Sequence, residues 1–174
     1  YIIKNINYGN GTTFTVTPSL ESIIGRSLEF DGVNDYIDFS ARRIELSNGF
    51  TIESWFKTPG ASSDMILFST RNPVDQTVQL EVSMLASSSQ LTVKYFDQVT
   101  TVGEGLNNNL WHHWAVAVDT LNQTIEIYID GGASLGGSQS VELLSSNLID
   151  DITVLSELKI GSGLNNNAYF LGFM

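Results

Sequence analysis

A chain of 174 residues with 42% hydrophobic and 16% charged content fits one globular domain with a sizeable core and a lightly charged surface. Its formal net charge of -11 repels phosphate backbones and anionic membranes, so neither nucleic acid nor membrane insertion is expected, whereas cations and neutral glycans stay compatible. Cysteine is absent, which excludes disulfides but not an extracellular setting, and no apolar run approaches the ~20 residues that span a bilayer.

The opening stretch, Tyr1 to Val16, holds short β-like pieces broken by Gly9, Asn10 and Gly11. Two alternating runs follow, Ser27 to Phe30 and Tyr36 to Phe39, around the turn Asp31-Gly32-Val33-Asn34-Asp35. Phe50 to Lys57 reads as a strand with Trp55 and Phe56 on opposite faces, ended by Pro59-Gly60. Met65 to Ser69 is the next strand, and Asn72-Pro73 turns the chain. Thr77 to Leu85 then alternates Val78, Leu80, Val82 and Met84 against Gln79, Glu81 and Ser83. After a serine turn, Leu91, Val93 and Tyr95 alternate with Thr92, Lys94 and Phe96.

Leu110 to Gly131 carries the strongest strand signal, two runs rich in β-branched and aromatic residues joined by a polar turn at Asp119, Asn122 and Gln123. In the first run Trp111, His113, Ala115 and Ala117 share one face, and His112, Trp114, Val116 and Val118 share the other. In the second, Ile125, Ile127 and Ile129 oppose Thr124, Glu126 and Tyr128. Large apolar groups on both faces of the first run predict a central strand covered on both sides. Leu143 to Leu155 has room for a helical turn, but its Ser, Asn and Asp residues argue against a long helix. Leu158 to Ile160 and the terminal run Tyr169 to Met174 complete the strands.

Roughly ten short strands separated by frequent turns predict an all-β fold, a two-sheet antiparallel β-sandwich or jelly roll, over residues 1–174 as a single domain. The loop Gly103-Glu104-Gly105-Leu106-Asn107-Asn108-Asn109 is echoed by Gly161-Ser162-Gly163-Leu164-Asn165-Asn166-Asn167, but the flanking sequences differ, so this is no repeat architecture.

Asp31, Asn34 and Asp35 crowd one turn, where carboxylate and amide oxygens suit calcium; the same residues are also ordinary turn formers. His112 and His113 point to opposite faces of a strand and cannot chelate one ion together, so a zinc site is not expected. A retaining glycosidase needs two carboxylates flanking one bond. The nearest pair, Glu126 and Asp130, ends in an Asp-Gly turn, and Glu53 and Glu81 stand alone. Glycan binding asks for an aromatic ring to stack on a sugar and planar polar groups for its hydroxyls. Trp114, Tyr128, Tyr95 and Tyr169 are the candidate rings, and Asn107, Asn108, Asn165 and Asn166 the candidate amides; Trp114 and Tyr128 lead. Asn10-Gly11-Thr12 and Asn122-Gln123-Thr124 match the N-glycosylation pattern, which matters only in a eukaryotic secretory pathway.

Several pieces in order resemble the laminin G-like domain of the concanavalin A-like lectin/glucanase superfamily. They are the hairpin-like Leu28 to Ile37, Phe50 to Lys57, Trp111 to Val116, Ile127 to Gly131, and Leu158 to Gly161 followed by Tyr169 to Gly172. The resemblance implies a concanavalin A-like jelly roll and a structural calcium near the Asp31–Asp35 turn. It also implies that Trp111, His113 and Ala115 lie on the core side and Trp114 on the ligand side. Members usually continue beyond the last glycine with a closing strand. The chain is therefore expected to be a fragment lacking its final strand, with neighbouring domains or subunits covering the open C-terminal edge.

The function so implied is a non-catalytic recognition or adhesion module of a larger extracellular or cell-surface protein, binding a glycan or a protein ligand. The alternative is an assembly component of a virion capsid or fibre, or of a surface layer, built on the same sandwich. A glycoside hydrolase ranks third.

Overall fold

The computed structural model describes residues 6–7, 13–14, 27–39, 46, 49–60, 62–119, 122, 124–132, 139–142, 156–165 and 167–174. The first strands are β1 (Ile6–Asn7), β2 (Thr13–Phe14), β3 (Glu29–Asp31), β4 (Ile37–Asp38), β5 (Phe50–Lys57), β6 (Met65–Arg71) and β7 (Val78–Met84). They are followed by β8 (Leu91–Tyr95), β9 (Gln98–Val102), β10 (Trp111–Asp119), β11 (Thr124–Ile129), β12 (Gln139–Glu142), β13 (Glu157–Ile160) and β14 (Leu171–Phe173). Among the described residues there is no α-helix, only a 3-10 turn at Asp130–Gly132, so no helix is long and apolar enough to cross a membrane.

Two six-stranded antiparallel sheets make the sandwich that the alternating pattern predicts, and β1 pairs with β2 beside them. The first sheet runs β12-β11-β10-β5-β14-β3 and the second β4-β13-β6-β7-β8-β9. Their inner faces meet over Phe56, Trp114, Val116, Ile127 and Ile129 from one side and Leu80, Val82, Met84, Leu91 and Tyr95 from the other. Fully burying one such side chain contributes about 1.5–3 kcal/mol, so this layer supplies most of the driving force for folding. β10 is central, between β5 and β11, and β6 is buried along nearly its whole length with register shifts at Ile66/Phe68 and Thr70/Arg71.

Three expectations change. The Asp31–Asp35 segment is not the turn of a hairpin, because β3 pairs with β14 in the first sheet and β4 pairs with β13 in the second. It is a corner that carries the chain from sheet to sheet. The link from β13 to β14 makes the return crossing beside it, and Phe30 meets Phe170 edge-on at 5.9 Å between the two. The terminal run is not an open edge either: β14 lies between β5 and β3. β9 has no counterpart in the sequence reading, because only Phe96 and Asp97 separate it from β8 (Tyr95 pairs with Gln98, and Phe96 turns at φ 50°). The expected helical turn within Leu143 to Leu155 and the pattern at Asn10 lie outside the described residues.

Glycine lets β14 fit between its neighbours. A Cβ on Gly172, whose φ is 137°, would stand 2.1 Å from the Lys57 carbonyl oxygen. No side chain fits there, so the Leu-Gly-Phe order of β14 follows from the closeness of β5.

Candidate functional site

The core face of β10 is His112, Trp114, Val116 and Val118, all under 5% exposed. This inverts the expected orientation. Trp114 is 2% exposed and packs beside Phe68 at 6.3 Å, so its ring has no face to offer a sugar. Its indole Nε1 is buried without a hydrogen-bond partner among the described residues. Trp111, expected inside, is 45% exposed.

The outer face of the first sheet therefore presents the aromatic groups that sequence reasoning missed. Trp55 on β5 is 57% exposed and stands opposite His113 on β10, with ring centroids 5.1 Å apart. One cross-strand row further on, Trp111 and Phe173 flank Lys57 and approach each other to 6.4 Å. Leu110, just before β10, is 62% exposed as well. An exposed cluster of large apolar rings on a sheet face marks an interaction surface. The signal that would have found it is the strand register: Trp55 shares a face with Glu53 and Thr51, which leaves Phe56 for the core.

Polar groups frame these rings. Glu53, with a 68% exposed side chain, lies 3.6 Å from His113 Nε2 through its Oε2. Tyr128 sits on the same outer face, opposite Ala115, and its hydroxyl donates to the Glu126 carboxylate, which holds the phenol above its ordinary pKa. Tyr128 on β11 is one strand from Trp111 on β10 and two from Trp55 on β5.

The asparagine loops have structural partners. Asn108 Oδ1 accepts from the Leu110 N–H at 2.9 Å and lies 3.0 Å from His112 Nε2, so its carbonyl is spent within the fold. Asn107 packs against Gly60, and the Asn109 N–H donates to the Thr58 carbonyl at 2.9 Å. Asn165 is exposed in the loop after β13, where the Gly163 N–H donates to the Asn167 carbonyl at 2.9 Å; Asn166 lies outside the described residues. Hydrogen bonds gather these loops at one end of the sandwich: Leu106 N–H to the Ser89 carbonyl, Ile66 N–H to the Ala168 carbonyl, and Ala86 N–H to Asp64 Oδ1. Tyr169 lies there too, its ring 6.4 Å from that of Tyr36, whereas Tyr95 is in the core.

The Asp31–Asp35 corner is closed by its own carboxylates. Asp31 Oδ1 accepts from the Val33 and Asn34 N–H groups at 2.7 and 3.2 Å, and Asp35 Oδ2 accepts from the Asp31 N–H at 3.0 Å. Burial pushes the Asp35 carboxyl above its ordinary pKa, and the Asp31 N–H opposes that shift. Among the described residues no group of three or more His, Cys, Asp or Glu side chains is placed to hold a metal ion.

The carboxylates weighed as a hydrolytic pair have separate partners. Glu126 is on the outer face with Tyr128, while Asp130 turns back toward β10, its Oδ2 2.8 Å from His112 Nδ1 and its Oδ1 accepting the His113 N–H at 2.8 Å.

A sequence model of the Concanavalin A-like lectin/glucanases superfamily matches residues 31–174. No curated protein matches by sequence. Among solved structures, the carbohydrate-binding module of the Ruminococcus gnavus IT-sialidase, family CBM40, bound to alpha2,3 sialyllactose, superposes with a TM-score of 0.63 at 13% identity over 86% of this chain and 84% of that one. The LG1-3 region of the laminin alpha2 chain gives 0.63 at 17% identity over 84% of this chain and 29% of that one. Tailspike protein 2 of the Escherichia coli O157:H7 bacteriophage CAB120 gives 0.60 at 14% identity over 84% and 21%. Identities this low establish a shared fold.

Proposed function

We propose that this chain, which belongs to the concanavalin A-like lectin/glucanases superfamily, is a non-catalytic module that binds glycan on the outer face of its first sheet. The observation that carries this reading is the exposed pair Trp55 and Trp111, with Phe173 beside them and Glu53, His113 and Tyr128 around them. Indole rings stack on the apolar faces of sugars, and carboxylate, imidazole and phenol groups take the hydroxyls. A fold shared with a module solved on sialyllactose supports the same ligand chemistry class, oligosaccharide, for this chain.

The non-catalytic part rests on the carboxylates. Glycosidases set two of them across one scissile bond. Here Asp130 is engaged with His112 and the His113 amide, away from the face that Glu126 shares with Tyr128. A setting outside the cell or on a virion surface accompanies this reading, in line with the laminin and tailspike likenesses.

The test is binding to a glycan array, followed by calorimetry on the strongest hit. Trp55→Ala and Trp111→Ala should each weaken it at least tenfold while leaving the circular dichroism spectrum unchanged. Glycan binding that survives both substitutions, or none by the unmodified chain, would overturn the proposal, and capture of a protein ligand on the same face would replace it.

A further inference from the structure

We infer that the aromatic face selects uncharged glycans and turns away sialylated and other acidic ones. The inference rests on the glycan reading above and adds the chemical class of the ligand. A sugar carboxylate is best held by an arginine fork, which gives two parallel charge-assisted hydrogen bonds. Among the described residues this face has no arginine. Arg71 belongs to the second sheet and is paired with Glu157 at 2.7 Å, and Lys94 and Lys159 lie on that sheet as well. The face itself carries Glu29, Glu53 and Glu126 against Lys57 and His113.

His113 Nε2 faces Glu53 at 3.6 Å, and Glu53 still presents a 68% exposed side chain. Lys57 is one point charge set between Trp111 and Phe173, on the same cross-strand row as Glu29. The field of the whole chain, net -11, also repels an anion. Glu53 has acceptors and no donor. A sugar hydroxyl donates to such a group, whereas a sugar carboxylate brings a second acceptor and a like charge. Neutral pyranose rings stacked on Trp55 and Trp111 satisfy the face; acidic ones leave Glu53 facing an anion.

The experiment pairs neutral oligosaccharides ending in galactose, glucose or mannose with α2,3- and α2,6-sialyllactose and a uronate-ended oligosaccharide, all titrated into the chain in 20 mM and 300 mM salt. The expected result is binding of at least one neutral probe, lost at least tenfold in Trp55→Ala, with the acidic probes at least tenfold weaker. High salt should narrow that gap by screening the like charges, and Glu53→Gln should narrow it further at low salt. A sialylated or uronate probe binding as tightly as its neutral counterpart, sensitive to Trp55→Ala, would overturn the inference and leave the glycan reading standing. Failure of every probe, or binding indifferent to both Trp55→Ala and Trp111→Ala, would overturn both.

Discussion

His112 Nδ1 lies 2.8 Å from Asp130 Oδ2, and this contact ties the start of β10 to the turn that ends β11. The other ring nitrogen lies 3.0 Å from Asn108 Oδ1, an atom identified as oxygen because it also accepts the Leu110 N–H. Both ring nitrogens of His112 thus stand within hydrogen-bond distance of an oxygen. With the ring 3% exposed and beside Phe56, every polar atom of the imidazole is satisfied inside the fold. Removing the carboxylate should be costly. Asp130→Ala is expected to lower stability by about 2–3 kcal/mol, measured by urea unfolding, because it leaves His112 Nδ1 without its partner and the His113 N–H without an acceptor.

The two tryptophans on opposite faces give a paired prediction. Trp114→Ala removes a ring from the core and should cost about 3–5 kcal/mol. Trp55→Ala removes an exposed ring and should change stability by less than about 0.5 kcal/mol while removing ligand binding. Thermal melts on both variants, read beside glycan titrations of Trp55→Ala, separate packing from recognition.

Gly172 is expected to reject any side chain. An alanine Cβ would meet the Lys57 carbonyl oxygen at 2.1 Å in a backbone conformation with φ 137°. Either β14 separates from β5 or the carbonyl moves, at a cost of about 3 kcal/mol or more. Hydrogen exchange at the Phe173 and Lys57 amides should report the loss before global unfolding does.

Glu81 predicts a pH effect of definite sign. Burial raises its pKa above the ordinary 4.5, and Lys94 on the neighbouring strand opposes the shift to a smaller degree. The folded state then holds this proton more tightly than the unfolded state, so the group's contribution to stability falls as pH rises from 4.5 through the folded pKa. Glu81→Gln should melt higher than the unmodified chain at pH 7, and the difference should shrink as pH is lowered toward 4.5. A constant difference across that range would assign the effect to packing.

The Asp31–Asp35 corner should form without calcium, since its carboxylates bond its own amides. Chelator is expected to leave the melting temperature unchanged, and Asp31→Ala to cost about 1 kcal/mol as a lost turn cap. A calcium-dependent rise in melting temperature that disappears in Asp31→Asn would instead establish a calcium site there.

Most strands were readable because alternation is a local property. Residues two apart share a face whatever the fold, and Leu80 to Met84, Leu91 to Tyr95 and Thr124 to Ile129 alternate in burial over their whole length, whereas Gln79 is buried beside Leu80. The site was not readable in the same way. In Trp111 to Asp119 both faces carry aromatic and apolar groups, so the pattern states which residues go together and not which set is covered. Burying the His112 face required a place for its polar ring, and that place is made by Asp130 and Asn108, brought in from the far end of the hairpin and from the preceding loop.

The amino-acid sequence by itself determined most of the strands, their antiparallel sandwich and the family pattern, because period-two hydrophobicity and turn residues act through near neighbours. Only the tertiary structure decided that β3 and β4 belong to different sheets, that β14 lies between β5 and β3, and that Trp55 and Trp111 face outward while Trp114 is buried. These choices depend on which surface the second sheet covers, and that is settled by packing between segments distant in the chain.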